Sequence, residues 1–186
     1  MKPPSRLKKW DLINKELIFK IDPWLKLHKN KVRLHNKKVV DDYYTIEQDD
    51  HCVIFAINNE EKVLSMWQYK HGAGYVCLGL PAGYIEKNEN SITAAKRELF
   101  EETGYISKNW EKLGHFFVDG NRGAGKAHIF LAREIVFKTN TFSDDLEDFE
   151  LCFLDLKSLE KALFNGSIAT AGPAIAVALC LLKLKN

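Results

Sequence analysis

Three glutamates stand close together in the middle of the chain: Glu98, Glu101 and Glu102. On a helix they fall at i, i+3 and i+4, so their carboxylates share one face. Like charges at that spacing repel by about 0.2–0.5 kcal/mol per pair. They also sit in the last turns of the helix predicted over 91–103, where the macrodipole disfavours anions. A segment selected for helix stability would carry Lys or Arg there, and local rules broken in this way tend to mark functional sites. Three hard oxygen donors on one face suit Mg²⁺ or Mn²⁺. A solvated acidic face paired with lysines would look the same in isolation, so these residues alone leave both readings open.

The wider pattern decides between them. Gly83 is followed by five residues and then Glu89; seven more lead to Arg97-Glu98, and Leu99-Phe100-Glu101-Glu102-Thr103-Gly104-Tyr105 completes the run. The segment resembles the Nudix box, G-x5-E-x7-R-E-U-x-E-E-x-G-U, where U is bulky and apolar. Only Tyr105 departs, standing in for an aliphatic residue. Residues of the box's fixed types, each near average usage, would coincide by chance in roughly one chain per million of this length. Read physically, Gly83 and Gly104 allow backbone conformations closed to other residues. Glu89 and Arg97 carry opposite charges and could pair across the loop and the helix. The resemblance implies that this pair is scaffolding, that Glu98 and Glu102 ligate the metal, and that Glu101 supports the catalysis. It also implies a metal contact from the carbonyl of Ala82, just before the box. Metal held this way would neutralise a diphosphate and acidify water for attack on phosphorus.

Outside the box, Pro81-Ala82-Gly83, Gln68-Tyr69-Lys70 and the run Phe164-Asn165-Gly166-Ser167-Ile168 resemble the ADP-ribose and nucleoside-diphosphate-sugar branch of that family. So does the early Trp10 with the strands after it. The branch implies a catalytic base in an acidic loop after the box. Glu147 is the expected base, with Asp148 and Glu150 as rivals and a solvated acidic turn as the bland reading. Three features depart from the branch. Lys70 replaces an arginine and loses its planar fork. Gly79 stands where a glutamate is common. The segment Asp119–Lys126 lacks a proline, but it is Gly-rich and its Arg122 and Lys126 could bind phosphate; a flexible hairpin tip is the alternative. Lys70, Arg122 and Lys126 are therefore the candidate substrate-binding cations. The expected reaction is hydrolysis of ADP-ribose to AMP and ribose 5-phosphate, with Mg²⁺ as cofactor and Mn²⁺ as substitute. Another diphosphate (GDP-mannose, a dinucleotide or a nucleoside triphosphate) is the alternative substrate, and a non-catalytic ADP-ribose-binding module is the alternative class.

These residues need elements to position them. Asn90 or Ser91 can cap the 91–103 helix, with Ile92, Ala95 and Leu99 as its core stripe. Gly104 can end it in the left-handed conformation. Upstream, 51–58 and 62–69 are β-rich runs around the turn Asn59-Glu60-Glu61, and 76–80 is a further strand. Strands are expected at 113–118, 128–132 and 149–154. Asp155 can cap a helix over 156–164, and a last helix, apolar nearly all round, starts at Thr170 with Pro173 in its first turn. The sum is an α+β domain: a mixed sheet sandwiched between helices, the Nudix fold by resemblance, with an N-terminal β-hairpin region. The expected division is a loose tail over 1–9, strands over 10–48 that form a homodimer interface, and the Nudix domain over 49–186.

Composition bounds the rest. The chain of 186 residues is long enough for a real core, and 46 % apolar with 28 % charged residues is a globular composition. A formal net charge of +2 gives no argument for bulk binding to nucleic acid or membrane. The cysteines Cys52, Cys77, Cys152 and Cys180 form no C-x-x-C pair and read as small buried hydrophobes. The six histidines are dispersed and receive no role. Without a signal-like or membrane-length apolar run, a soluble, cytoplasmic protein is expected.

Overall fold

The structure is a computed structural model and describes residues 4, 7–140 and 148–184. Contacts divide the chain into two units. One comprises 1–49 with 119–125, the other 50–118 with 126–186.

The first unit is an antiparallel meander of β1 (Asp11–Ile21), β2 (Leu25–Arg33) and β3 (Val39–Glu47). Trp10 packs edge-on against Tyr43, with ring centroids 5.7 Å apart. Glu47 accepts from Lys26 and Lys15, and these bonds hold its carboxyl down to about 2. Beside β3 runs the start of a later strand, Gly123 lying opposite Ile46. The glycines of that start have a reason in packing. A Cβ on Gly123 would lie 2.8 Å from the Ile46 carbonyl oxygen, and one on Gly125 would lie 2.6 Å from that of Asp49. Both also have positive φ, 95° and 74°. The Gly-rich segment is therefore a tight turn feeding a strand against another backbone, and its glycines serve that approach.

The second unit carries a mixed sheet. β4 (His51–Ile57) runs parallel to β10 (Gly123–Arg133), with Ala127–Arg133 in register against His51–Ile57. β5 (Val63–Lys70) is antiparallel to β4, to β6 (Tyr75–Gly79) and to β12 (Phe149–Leu154). β7 (Ala82–Tyr84) pairs with β4, and β9 (Asn109–Asp119) pairs with β10. The two-residue strands β8 (Tyr105–Ile106) and β11 (Val136–Phe137) form a separate ladder.

Alternation along β4 explains the two cores. Cys52, Ile54 and Ala56 face α1 (Ser91–Thr103), through Ala94, Ala95 and Leu99. Val53, Phe55 and Ile57 face the opposite side, where α2 (Leu156–Phe164) and α3 (Ala171–Leu184) bury Leu159, Ala176, Val177 and Cys180. A strand covered on both faces needs apolar residues at every position, hence the run Cys52–Ile57. The expected α+β arrangement of helices on both faces of a mixed sheet is thus observed. No helix among the described residues is long and apolar enough to cross a membrane.

Candidate active site at the box helix

α1 begins where its sequence says it should. The Asn90 side chain accepts from the Thr93 N–H at 3.0 Å, and Gly104 ends the helix in the left-handed region at φ 72°. Gly104 is irreplaceable for a second reason: a Cβ there would lie 1.9 Å from the Thr139 carbonyl oxygen. At Gly83 the structure corrects the conformational reading. Its φ is not positive. Glycine is needed because a Cβ would sit 2.0 Å from Glu98 Cδ. The carboxyl of Glu98 rests on the bare backbone of Gly83.

Arg97 is the hub of the segment. Its Nε donates to Glu89 Oε1 at 3.2 Å and its Nη2 to Glu89 Oε2 at 2.9 Å, a two-point pairing. Nη2 also reaches the Tyr84 carbonyl at 3.0 Å, while Nη1 donates to Glu98 at 2.7 Å and Glu101 at 3.1 Å. The Arg97 contact holds the Glu89 carboxyl below its usual range, and the same contact, ahead of those from Glu101 and Glu98, raises the Arg97 guanidinium further. One guanidinium thus clasps the loop before the helix and neutralises two of the three clustered acids.

Glu102 Oε2 accepts from the Ala82 N–H at 3.0 Å. Glu98, against Gly83, and Glu102, against Ala82, therefore converge on one backbone corner. Beneath it lies Cys52, whose thiol burial pushes up to about 12, with Glu98 and Glu102 adding to the rise. Among the described residues no three His, Cys, Asp or Glu side chains form a ready metal cage. The donor set that fits a divalent cation is two carboxylates with the Ala82 backbone, all hard oxygens. A carboxylate has lone pairs enough to accept from an arginine and ligate a cation together. Glu101 is the outlying member, its side chain 55 % exposed.

The corner opens into a pocket of about 340 Å³. Glu102, Ala82, Lys70, Gln68 and His51 line it, with Val53, Leu80, Phe116, Pro173 and Ile175 among its apolar walls. Burial holds the His51 imidazole below its ordinary range. Of the three expected substrate cations, Lys70 lines this pocket. Lys126 lies with Nζ 5.3 Å from the Phe117 ring centroid and 4.0 Å from Asp50. Arg122 is exposed in the first unit, beside Tyr43 and Tyr44. Glu147 lies outside the described residues. Asp148 and Glu150 are exposed, and Glu150 stands opposite Trp67, on the strand face alternate to that of Gln68 and Lys70. Sequence reasoning passed over Gln68 as a site residue and His51 altogether. Their importance comes from pocket walls contributed by β9 and α3, remote in sequence.

Residues 48–171 match the family model described as NUDIX domain. The chain is 29 % identical over 131 residues to an ADP-ribose pyrophosphatase of Bacillus subtilis (strain 168), covering 70 % of this chain and 71 % of that one. It is 32 % identical over 96 residues to a methanol dehydrogenase activator of Bacillus methanolicus, spanning 52 % of each. A solved structure titled as that of an ADP compounds hydrolase shares the fold, with TM-score 0.84, 20 % identity and 98 % of this chain against 97 % of that one covered. With the matched region spanning most of the chain and the box intact on its helix, the protein belongs to the Nudix family and is a Nudix hydrolase.

Proposed function

We propose that the protein hydrolyses the diphosphate linkage of a nucleoside diphosphate sugar, and that ADP-ribose is the substrate, yielding AMP and ribose 5-phosphate. The observation that carries this reading is the meeting of Glu98, Glu102 and the Ala82–Gly83 backbone at the mouth of a largely apolar pocket. The ADP-ribose pyrophosphatase from Bacillus subtilis, matched over most of its length, supports the substrate. Mg²⁺, or Mn²⁺ in its place, would be held by Glu98, Glu102 and the Ala82 carbonyl, where it supplies charge neutralisation for the diphosphate and acidifies water. Arg97 keeps Glu98 and Glu101 oriented. Lys70 adds a single positive charge for a phosphate without the fork of an arginine. Glu147 is our proposed base for the attacking water. Lys126, near Phe117, and Arg122 are kept as proposed substrate cations.

The test is a substrate panel with phosphate-coupled detection, across Mg²⁺ concentrations, with wild type and Glu102→Gln. Mg²⁺-dependent cleavage of ADP-ribose, abolished in the variant, is expected. Wild-type rates in Glu102→Gln would refute the ligand set.

We also propose that the protein is a homodimer through its first unit. Every residue of β1 is exposed, including Leu12, Leu17, Ile18, Phe19 and Ile21, on a strand that among the described residues pairs with β2 alone. An exposed apolar edge of that length invites a partner.

A further inference from the structure

Asp50, directly before β4, is tied to both ends of the loop that leads from Gly83 into α1. At the near end the tie is direct: the Asp50 carbonyl accepts from the Ile85 N–H at 2.9 Å. At the far end it runs through side chains. Asp50 Oδ1 accepts from the Lys126 N–H at 2.9 Å, and Oδ2 lies 2.9 Å from His128 Nε2. His128 Nδ1 lies 3.1 Å from Lys112 Nζ. Lys112 in turn donates to the hydroxyl of Ser91, the first residue of α1, at 3.0 Å. The His115 ring stacks on that of His128, with centroids 5.6 Å apart.

This chain of bonds has one consistent arrangement of protons. An ammonium only donates, so His128 Nδ1 accepts and the ring proton sits on Nε2, facing the carboxylate. Lys112 stands where local preference would not put it. A cation beside the start of a helix opposes the macrodipole, and α1 has no acid in its first turn to attract one. Among the described residues Lys112 makes no ion pair, and its hydrogen bonds are those to Ser91 and His128. A charge held against a local rule in this way tends to mark function.

We propose that Asp50, His128 and Lys112 are positioning residues, a brace that sets the start of α1 relative to the Ala82–Gly83 corner. This rests on the reading of that corner as the cation site. Glu98 follows Ser91 by seven residues on the same helix, two turns or about 10.5 Å along it. A displacement at Ser91 is therefore carried to the carboxylates that rest on Gly83 and Ala82. Arg97 clasps the loop from within, whereas the brace fixes the two ends of the loop to the sheet from outside.

The test uses Lys112→Met, Lys112→Arg, Asp50→Asn and the double variant of Lys112→Met with Asp50→Asn. An amide has one acceptor oxygen for two donors, so Asp50→Asn breaks one of the bonds to Lys126 and His128. Mn²⁺ binding without substrate is followed by calorimetry, amide exchange is followed in the cation-free protein, and melting is recorded for each variant. Lys112→Met and Asp50→Asn should each weaken Mn²⁺ binding about tenfold. The double variant should lose no more than either, because both cut one chain. Lys112→Arg keeps the donors and should bind as wild type does. In Lys112→Met the Thr93 and Ala94 amides should exchange faster, while the Gly104 amide at the far end of α1 is unchanged. Its melting temperature should stay at or above that of wild type, since a cation leaves the helix start. Unchanged Mn²⁺ affinity, additive losses, failure of Lys112→Arg to restore binding, or binding lost only in step with melting temperature would overturn the proposal. If wild type binds no Mn²⁺, or Glu102→Gln binds it equally well, the cation-site reading fails. Exchange then decides the brace alone: faster exchange confined to the start of α1 supports it, and unchanged exchange overturns it.

Discussion

At the residue scale, the site is built on contacts that forbid ordinary side chains. The Glu98 carboxyl occupies the place where a side chain at position 83 would begin. Gly83→Ala should therefore push Glu98 off the Ala82–Gly83 corner and lower kcat/KM about 100-fold, while the melting temperature stays close to wild type. Equal loss of stability and activity would show that Gly83 serves the fold instead. Glu102→Gln keeps shape and removes charge, so turnover should fall by about 10³-fold or more with melting unchanged. The acids of the box were legible in the sequence because their spacing offends helix electrostatics. Gly83 was legible as a glycine but not in its reason, since no sequence feature shows that the Glu98 carboxyl, fifteen residues on, would lie against it. Gln68 and His51 were hidden for the same cause: each is an ordinary strand residue until β9 and α3 close a pocket over it.

At the element scale, the loop before α1 and the helix itself are one unit because Arg97 joins them. Arg97→Ala leaves Glu89 partly buried without its partner and should cost about 2 kcal/mol, read as a lower urea midpoint. The pair also sets an acid limit. The Glu89 carboxyl is held below its unfolded value, so the stability it contributes is complete above about pH 4.3 and drains away as pH falls through the folded value. Between pH 6 and pH 3 the wild type should therefore lose more stability than Arg97→Ala, narrowing the gap between them; parallel curves would contradict this. The helix ends were readable because caps are local chemistry: Asn90, Gly104 and Asp155 all act as expected, Asp155 accepting from the Ser158 N–H at 2.8 Å. Asp155→Ala should cost about 1 kcal/mol. The Gly-rich segment 119–126 was ambiguous because flexible tips and close backbone crossings demand the same residue. Only the carbonyls of Ile46 and Asp49, more than seventy residues earlier, separate the two. The strands β7, β8 and β11 are three residues or fewer and leave no periodic trace to read.

At the scale of the whole molecule, the first unit offers an exposed apolar strand and the second holds the box and its pocket. Light scattering should give a dimer at assay concentration, and replacing Leu17 and Phe19 together by Asp should give a monomer; a monomeric wild type would remove the dimer proposal without touching the chemistry. The chemistry we propose stands on the corner formed by Glu98, Glu102 and Ala82. It is tested most directly by following ADP-ribose with wild-type protein, with and without Mg²⁺, and identifying the products. The account predicts AMP and ribose 5-phosphate in equal amounts, formed only with the cation and not by Glu102→Gln. Cleavage that persists in a chelator, or intact ADP-ribose at saturating Mg²⁺, would contradict it.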